Sequence, residues 1–556
     1  MKSATTLTAG LAAVLALAAC GPATKPVPAA PPAPRDVVAD QVGGTTTGQM
    51  APPPKEIKVA TQTAAPQALT FPDDAFRAAQ PEATKPRPFN LPEIKPFKLK
   101  SGVLVYLVEQ HTLPLVSLDL NFDGGSIADP AGKEGLSSVC MSMMAEGTEQ
   151  LDKVAFAEAL ADVAGSVDAY AGADSQGVSM ASLTKHLDAV FPLFADTILH
   201  PGFRSDDLER MVKRRLESLR QAKGSAPSIV GRVNGPVLYG PQHAYGRLIT
   251  EASLKAITLD DCKAYHARWV KPGGARLFVV GDLTEAQVRQ LFDGDALAAW
   301  KGKVPTAPKP TKPAGMKGRI FFVDVPGAKQ SQILAMEFGP QRNAKDYFET
   351  AIMSSVLGGG FSSRINMNLR EDKGYSYGAR AGFQYSKYYG VFGGGSSVVS
   401  ESTYQSLLEL ANEITAMQSG KVPATAEELS REKAGAIQSM PARFATANDA
   451  LGTFRSLVYY GLPLDYYRTY VGKVDKVTAK QVAAAAKKHL KPDQLVYVVV
   501  GDAKAPMIYR DGKEDKPLMK DGKQLTLLDA LHELADTGKL GKGGLVVLDA
   551  DAKVLP

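Results

Sequence analysis

The 556-residue sequence is sparing in the groups that hold metals and cross-link chains. It has seven histidines and three cysteines. No two of the histidines (His111, His186, His200, His243, His266, His489, His532) lie four apart, so no helix face offers the paired imidazoles of a histidine zinc site. Three cysteines in so long a chain make no disulfide scaffold. Net charge is only +6, from 64 basic and 58 acidic residues, without a long basic run, and nucleic-acid binding is not indicated. The glycine-rich Leu357-Gly358-Gly359-Gly360 lacks the Gly-Lys-Ser/Thr ending of a phosphate-binding loop. The apolar run Leu7–Leu17 is too short to span a bilayer.

What is there begins with a targeting segment. Lys2 precedes that apolar run, which ends in Leu17-Ala18-Ala19-Cys20, a pattern resembling the lipobox of bacterial lipoproteins. It implies cleavage before Cys20, lipidation of that residue, and a periplasmic protein held to the membrane by acyl chains. Gly21 in place of Asp favours the outer membrane. Residues 21–92, rich in Pro and Ala, read as a tether. Of the remaining cysteines, Cys140 sits in an apolar helical stretch and is expected to be a buried free thiol.

The body repeats itself. Thr258, Lys271-Pro272 and Gly281-Asp282 recur as Thr478, Lys491-Pro492 and Gly501-Asp502, each 220 residues later. The organisation expected is a domain over 93–300, a proline-rich linker over 301–317, a second domain over 318–504 and an extension over 505–556. Strands are expected at 103–108 and 116–122, and helices at 185–199 and 208–221. The basic residues of the last helix (Arg210, Lys213, Arg214, Arg215, Arg220) read as a solvated face. In the extension, Leu525–Leu534 reads as an amphipathic helix and Leu545–Leu548 as a short strand.

Gly135-Leu136-Ser137-Ser138-Val139-Cys140-Met141-Ser142-Met143-Met144-Ala145-Glu146-Gly147-Thr148 carries a family resemblance. It resembles the G-L-x-H-x-x-E-H-M-x-x-x-G-T helix of the insulinase-like (pitrilysin, M16) zinc peptidases. Ser138 and Ser142 stand where that pattern has histidines, and Met141 where it has the glutamate base. The third ligand, seven residues past a Glu-Arg pair, falls on Leu216. None of the four is a zinc ligand or a base. A second stretch, Leu369-Arg370-Glu371-Asp372-Lys373-Gly374-Tyr375-Ser376-Tyr377, resembles the L-R-x-x-x-x-x-x-Y element of the family's C-terminal domain.

The resemblance implies an α+β fold of two homologous repeats, each a mainly antiparallel sheet with helices on one face. It further implies a zinc-less subunit of a heterodimeric peptidase, with no cofactor bound by this chain. The zinc would sit in a homologous partner carrying H-x-x-E-H. Arg370 would grip the carbonyls of an unfolded peptide and Tyr377 would steady the oxyanion. Gly358, Gly359 and Gly360 would touch that peptide. The alternative is a catalytically dead peptide-binding or scaffold protein of the envelope.

Overall fold

The structure, a computed structural model, describes residues 90–511 and 514–556. The expected leader with Cys20, and the expected tether up to residue 89, lie outside the described residues. The first sheet consists of β1 (Lys95–Lys98), β2 (Leu104–Glu109), β3 (Leu115–Asp123), β4 (Ser166–Ala171), β5 (Ser175–Leu183) and β6 (Arg276–Gly281), in the order β1-β2-β6-β3-β5-β4. Only β2 and β6 run parallel; the other neighbours are antiparallel.

The second sheet is built from β7 (Ile320–Asp324), β8 (Gln330–Gly339), β9 (Ser376–Gln384), β10 (Gly390–Val399) and β11 (Val496–Gly501). The extension then forms two small hairpins, β12 (Ile508–Asp511) with β13 (Glu514–Pro517) and β14 (Met519–Lys520) with β15 (Lys523–Gln524), and a last strand, β16 (Leu545–Leu548). The second order, β16-β7-β11-β8-β10-β9, mirrors the first, again with a parallel pair (β7 and β11) beside antiparallel ones. The outer strand differs. β1 pairs antiparallel with β2, whereas β16 arrives from the chain's end and pairs parallel with β7.

The helices of the first half are α1 (Leu136–Met144), α2 (Lys153–Ala161), α3 (Leu187–Leu199), α4 (Ser205–Lys223), α5 (Ala226–Tyr239), α6 (Glu251–Lys255), α7 (Leu259–Trp269) and α8 (Glu285–Phe292). Those of the second are α9 (Tyr347–Ser354), α10 (Arg364–Asn366), α11 (Thr403–Ser419), α12 (Ala426–Gln438), α13 (Ala447–Tyr460), α14 (Tyr470–Asp475), α15 (Ala479–His489) and α16 (Leu527–Thr537). The threonines 220 apart have one job. Thr258 and Thr478 accept from the backbone N–H three residues on, Asp261 and Gln481 return the bond, and these capping boxes start α7 and α15.

Strand burial explains the packing. In β6, Leu277 and Val279 join a core with Val139 of α1, Phe194 of α3, Tyr265 of α7 and Phe292 of α8. Phe278 and Val280 point the other way, onto Ala450, Leu451, Phe454 and Leu457 of α13. In β11, Val499 packs with the second half's own helices, while Val498 and Val500 meet Ile229, Val233 and Val237 of α5. Alternate side chains thus leave opposite faces, and each half lends one helix to the other's sheet. The expectation of helices on one face is therefore corrected: both faces are covered, which is why the central strands are apolar throughout rather than alternating.

A second correction concerns the cysteines. Cys140 and Cys262 are joined in a disulfide with a Cα–Cα distance of 4.8 Å, not left as free thiols. α1 packs on α7, and both sulfur-bearing side chains are buried in that contact. The extension is integral as well. Leu527, Leu531 and Leu534 of α16 enter the second core. Asp551 pairs with Lys223 and Arg232 of the first half, each at 2.6 Å.

Candidate functional site

α1 is held at its start by a buried carboxylate. Gly135, at φ 99°, turns the chain into the helix, and Asp129 accepts from Gly135 N and Ser137 N, both at 2.9 Å. These are orphan donors of a helix N-terminus. Burial pushes the Asp129 carboxyl up to about 6 against those same hydrogen bonds. Val139, Cys140, Met143 and Met144 face the core, and Met141 is fully buried among them.

Ser138 and Ser142, one turn apart, stand half-buried on the opposite face. Into that face reaches Arg215 of α4. Its Nη1 donates to Ser138 Oγ at 3.1 Å, and its Nη2 to Ser138 O at 3.0 Å and Ser142 Oγ at 3.2 Å. A guanidinium therefore bridges the two positions where the resemblance places zinc ligands. Leu216, the position of the third, packs against the first-half core. Two hydroxyls, a thioether, a leucine and a resident cation do not fit zinc. No cluster of three or more His, Cys, Asp or Glu suited to a metal occurs among the described residues.

The basic face of α4 is not simply solvated. Arg210 and Arg214 pair with Glu146, at 3.0 and 3.4 Å, and Arg220 with Glu251 at 3.5 Å, while Arg215 turns inward. Desolvation lowers the Arg215 guanidinium's proton affinity, and neighbouring Arg214 lowers it further. Sequence reading missed Arg215 because it lies one position before the expected ligand, inside a run of basic residues.

The second-half elements are built separately. α9 runs on into a wider turn over Ser355–Gly359, where Gly358 leaves helical geometry. A Cβ on Gly358 would lie 2.1 Å from the backbone nitrogen of Ala381 on β9, so this glycine is a buried packing position and is withdrawn from the peptide-contacting set. Gly359 is exposed, and Gly360 faces open space. Next comes Phe361, also exposed, with the Arg370 guanidinium 4.7 Å from its ring centroid. Arg370 Nε also lies 3.2 Å from Glu371 Oε1. Gly374, at φ 66°, supplies the left-handed turn between Arg370 and Tyr377. Tyr377 is the second residue of β9, the outermost strand of its sheet, and is 84% exposed.

Two anchors that sequence reading missed hold this segment. Arg364 forks onto both oxygens of Glu428 at 2.8 Å, and Arg510 of the extension donates to Lys373 O at 2.6 Å. Between the halves lies a buried polar group. Arg455 Nη1 of α13 donates to Asp119 Oδ2 at 2.6 Å and to Tyr170 Oη at 2.9 Å, and Tyr170 Oη donates to Asp119 at 2.9 Å. His243 is a turn residue: its Nε2 bonds Thr311 O of the linker at 2.9 Å and its ring stacks on Tyr239.

Residues 104–230 match the insulinase family (peptidase family M16), and residues 256–436 match the peptidase M16 inactive domain. Together they span more than half of the sequence. The chain belongs to peptidase family M16. With its ligand positions filled by Ser138, Ser142 and Leu216 and the base position by Met141, it is a member of the inactive type. The "Non-peptidase homolog YmxG" of Helicobacter pylori is 24% identical over 73% of this M16 chain and 93% of its own. The "Zinc protease PqqE" of the same strain is 22% identical, over 66% and 83%. Among solved structures, the peptidase M16 inactive domain from Pseudomonas fluorescens superposes with a TM-score of 0.67 at 26% identity, covering 74% of this chain and 98% of that one.

Proposed function

We propose that this chain is the non-zinc, substrate-binding subunit of a heterodimeric M16 peptidase in the bacterial envelope. The observation that carries the reading is an asymmetry between the halves. Arg215 occupies the metal position of the first, whereas the second keeps Arg370 part-exposed and Tyr377 standing out on an edge strand. So exposed a tyrosine is accessible to a second molecule, which supports the reading. The zinc, its water and the general base belong to a homologous partner. This chain gives Arg370 to peptide carbonyls, Tyr377 to the developing oxyanion, and the edge of β4, the outermost strand of the first sheet, to an extended peptide.

That Helicobacter pylori holds both a non-peptidase homolog and a zinc protease related to this chain supports such a pairing. The Leu17-Ala18-Ala19-Cys20 pattern supports a lipid anchor and a periplasmic place, and a disulfide suits that oxidising compartment. The test is reconstitution. The isolated chain cleaves no peptide, and cleavage appears on mixing with the zinc-bearing homologue. Arg370→Ala and Tyr377→Phe each lower kcat at least tenfold while co-elution with the partner persists. Unchanged turnover in both variants refutes the assigned roles.

A further inference from the structure

Arg215 has no counter-ion among the described residues. Its three bonds go to hydroxyl and carbonyl oxygens, and the one ionised group that acts on it is another cation, Arg214. Nearby Glu146 is already shared among Lys153, Arg210 and Arg214. Charges withdrawn from water are ordinarily matched by an opposite charge, because lost hydration is otherwise uncompensated.

The donor count points the same way. A guanidinium has five N–H groups. Three are engaged, leaving the Nε–H and one Nη1–H without an acceptor among the described residues. Ser138 Oγ donates back to Gly135 O at 3.2 Å, but the Ser142 hydroxyl hydrogen has no acceptor among those residues. Arg215 Nε is not sealed from solvent, and Ser138, Ser142 and Arg215 are all only half-buried. Three free donors around one fixed positive charge, reachable from solvent, form a receptor for a planar two-oxygen anion.

We infer that the former metal position is a carboxylate-binding subsite, in which Arg215 and Ser142 hold a carboxylate of the bound peptide. The inference rests on the peptide-binding reading above and names the substrate class it favours: a peptide with its carboxylate within reach of α1, either the chain's own C-terminus or an Asp or Glu side chain. Metal is replaced by a cation that does no chemistry, so the subsite anchors the peptide rather than cleaving it.

The experiment uses the full chain without a partner, so its outcome does not depend on reconstituted cleavage. Three fluorescently labelled versions of one unstructured peptide are titrated: free acid without acidic side chains, its C-terminal amide, and the amide carrying a single Glu. One carboxylate version binds at least tenfold more tightly than the plain amide, and which one does so identifies the source. Arg215→Met abolishes the preference while circular dichroism shows the chain still folded at the titration temperature, Arg215→Lys keeps part of it, and Ser142→Ala weakens it two- to fivefold. Equal binding of all three peptides, no binding of any, or a preference that survives Arg215→Met would overturn the inference. Loss of partner-dependent cleavage with the carboxylate preference intact would sink the proposed catalytic role alone.

Discussion

Replacing Arg455 by Met removes the cation bonded to Asp119, whose side chain is 3% exposed. Burial already raises the Asp119 carboxyl above the ordinary aspartate value, with Arg455 and the Tyr170 hydroxyl pulling it back. Without the guanidinium, Asp119 keeps the Tyr170 hydroxyl as its hydrogen-bond partner, and an isolated buried carboxylate takes up a proton rather than stay charged. The cost of that proton sets the ceiling. An unfolded aspartate titrates near ~3.9, so holding it neutral at pH 7 costs about 4 kcal/mol at ~1.4 kcal/mol per unit. This agrees with the ~3–5 kcal/mol typical of breaking a buried pair from one side. The sign follows from linkage. The folded variant holds a proton that the unfolded chain releases, so its stability falls as pH rises above about 4. Urea unfolding should place the variant up to about 4 kcal/mol below wild type at pH 7 and up to about 1.5 kcal/mol below at pH 5, reduced by what the already raised wild-type carboxyl itself loses with pH. Adding Asp119→Asn should recover most of the loss. A deficit equal at both pH values, or one that Asp119→Asn leaves untouched, would show that lost packing rather than a stranded charge is responsible.

Four further outcomes are expected. Changing both Cys140 and Cys262 to Ser opens a loop closed over 122 residues and should cost about 4–5 kcal/mol in denaturant unfolding. Gly358→Ala drives a methyl into Ala381 and should cost at least ~1–3 kcal/mol, whereas Gly360→Ala, with open space around it, should leave the melting temperature unchanged. Burial raises the Glu337 carboxyl to about 7, so the native state loses up to about 3 kcal/mol as pH climbs from ~4.5 through 7; Glu337→Gln, still able to accept from Lys491 N, should flatten that slope and exceed wild type at pH 8. Installing Ser138→His, Met141→Glu, Ser142→His and Leu216→Glu should leave elemental zinc near zero while Arg215 remains, and bring it to about one ion per chain once Arg215→Ala is added.

The duplicated plan was legible because its markers are local. Thr258 and Thr478 cap helices through bonds three residues long, and β6 and β11 each follow a Lys-Pro turn. The emptied metal helix was legible because a ligand's absence needs no partner to be seen. What stayed hidden depends on distance along the chain. The Arg455–Asp119 bond spans 336 residues and the disulfide 122, and no spacing rule relates such positions. α13 looks like any amphipathic helix in sequence; nothing in Ala450, Phe454 or Leu457 says that the sheet they cover belongs to the other half. Arg215 was hidden differently. Among five basic residues spread over 210–220, only the tertiary approach of α4 to α1 distinguishes the one that turns inward.

In a zinc peptidase of this family, the ion ties the helix of the histidines to the helix of the third ligand. Here that mechanical task is carried by other bonds. Arg215 joins α4 to α1, the disulfide joins α1 to α7, and Asp129 holds the first turn. α1 therefore keeps its place although its chemistry is gone, and the first sheet retains the surface that α13 covers. The second half draws on none of these bonds. Its Arg370–Tyr377 segment hangs from Arg364–Glu428, from the close approach of Gly358 to Ala381, and from Arg510 on Lys373. Because the two sets share no residue, the metal position could be emptied and refilled by a guanidinium without disturbing the segment proposed to act on a partner's substrate.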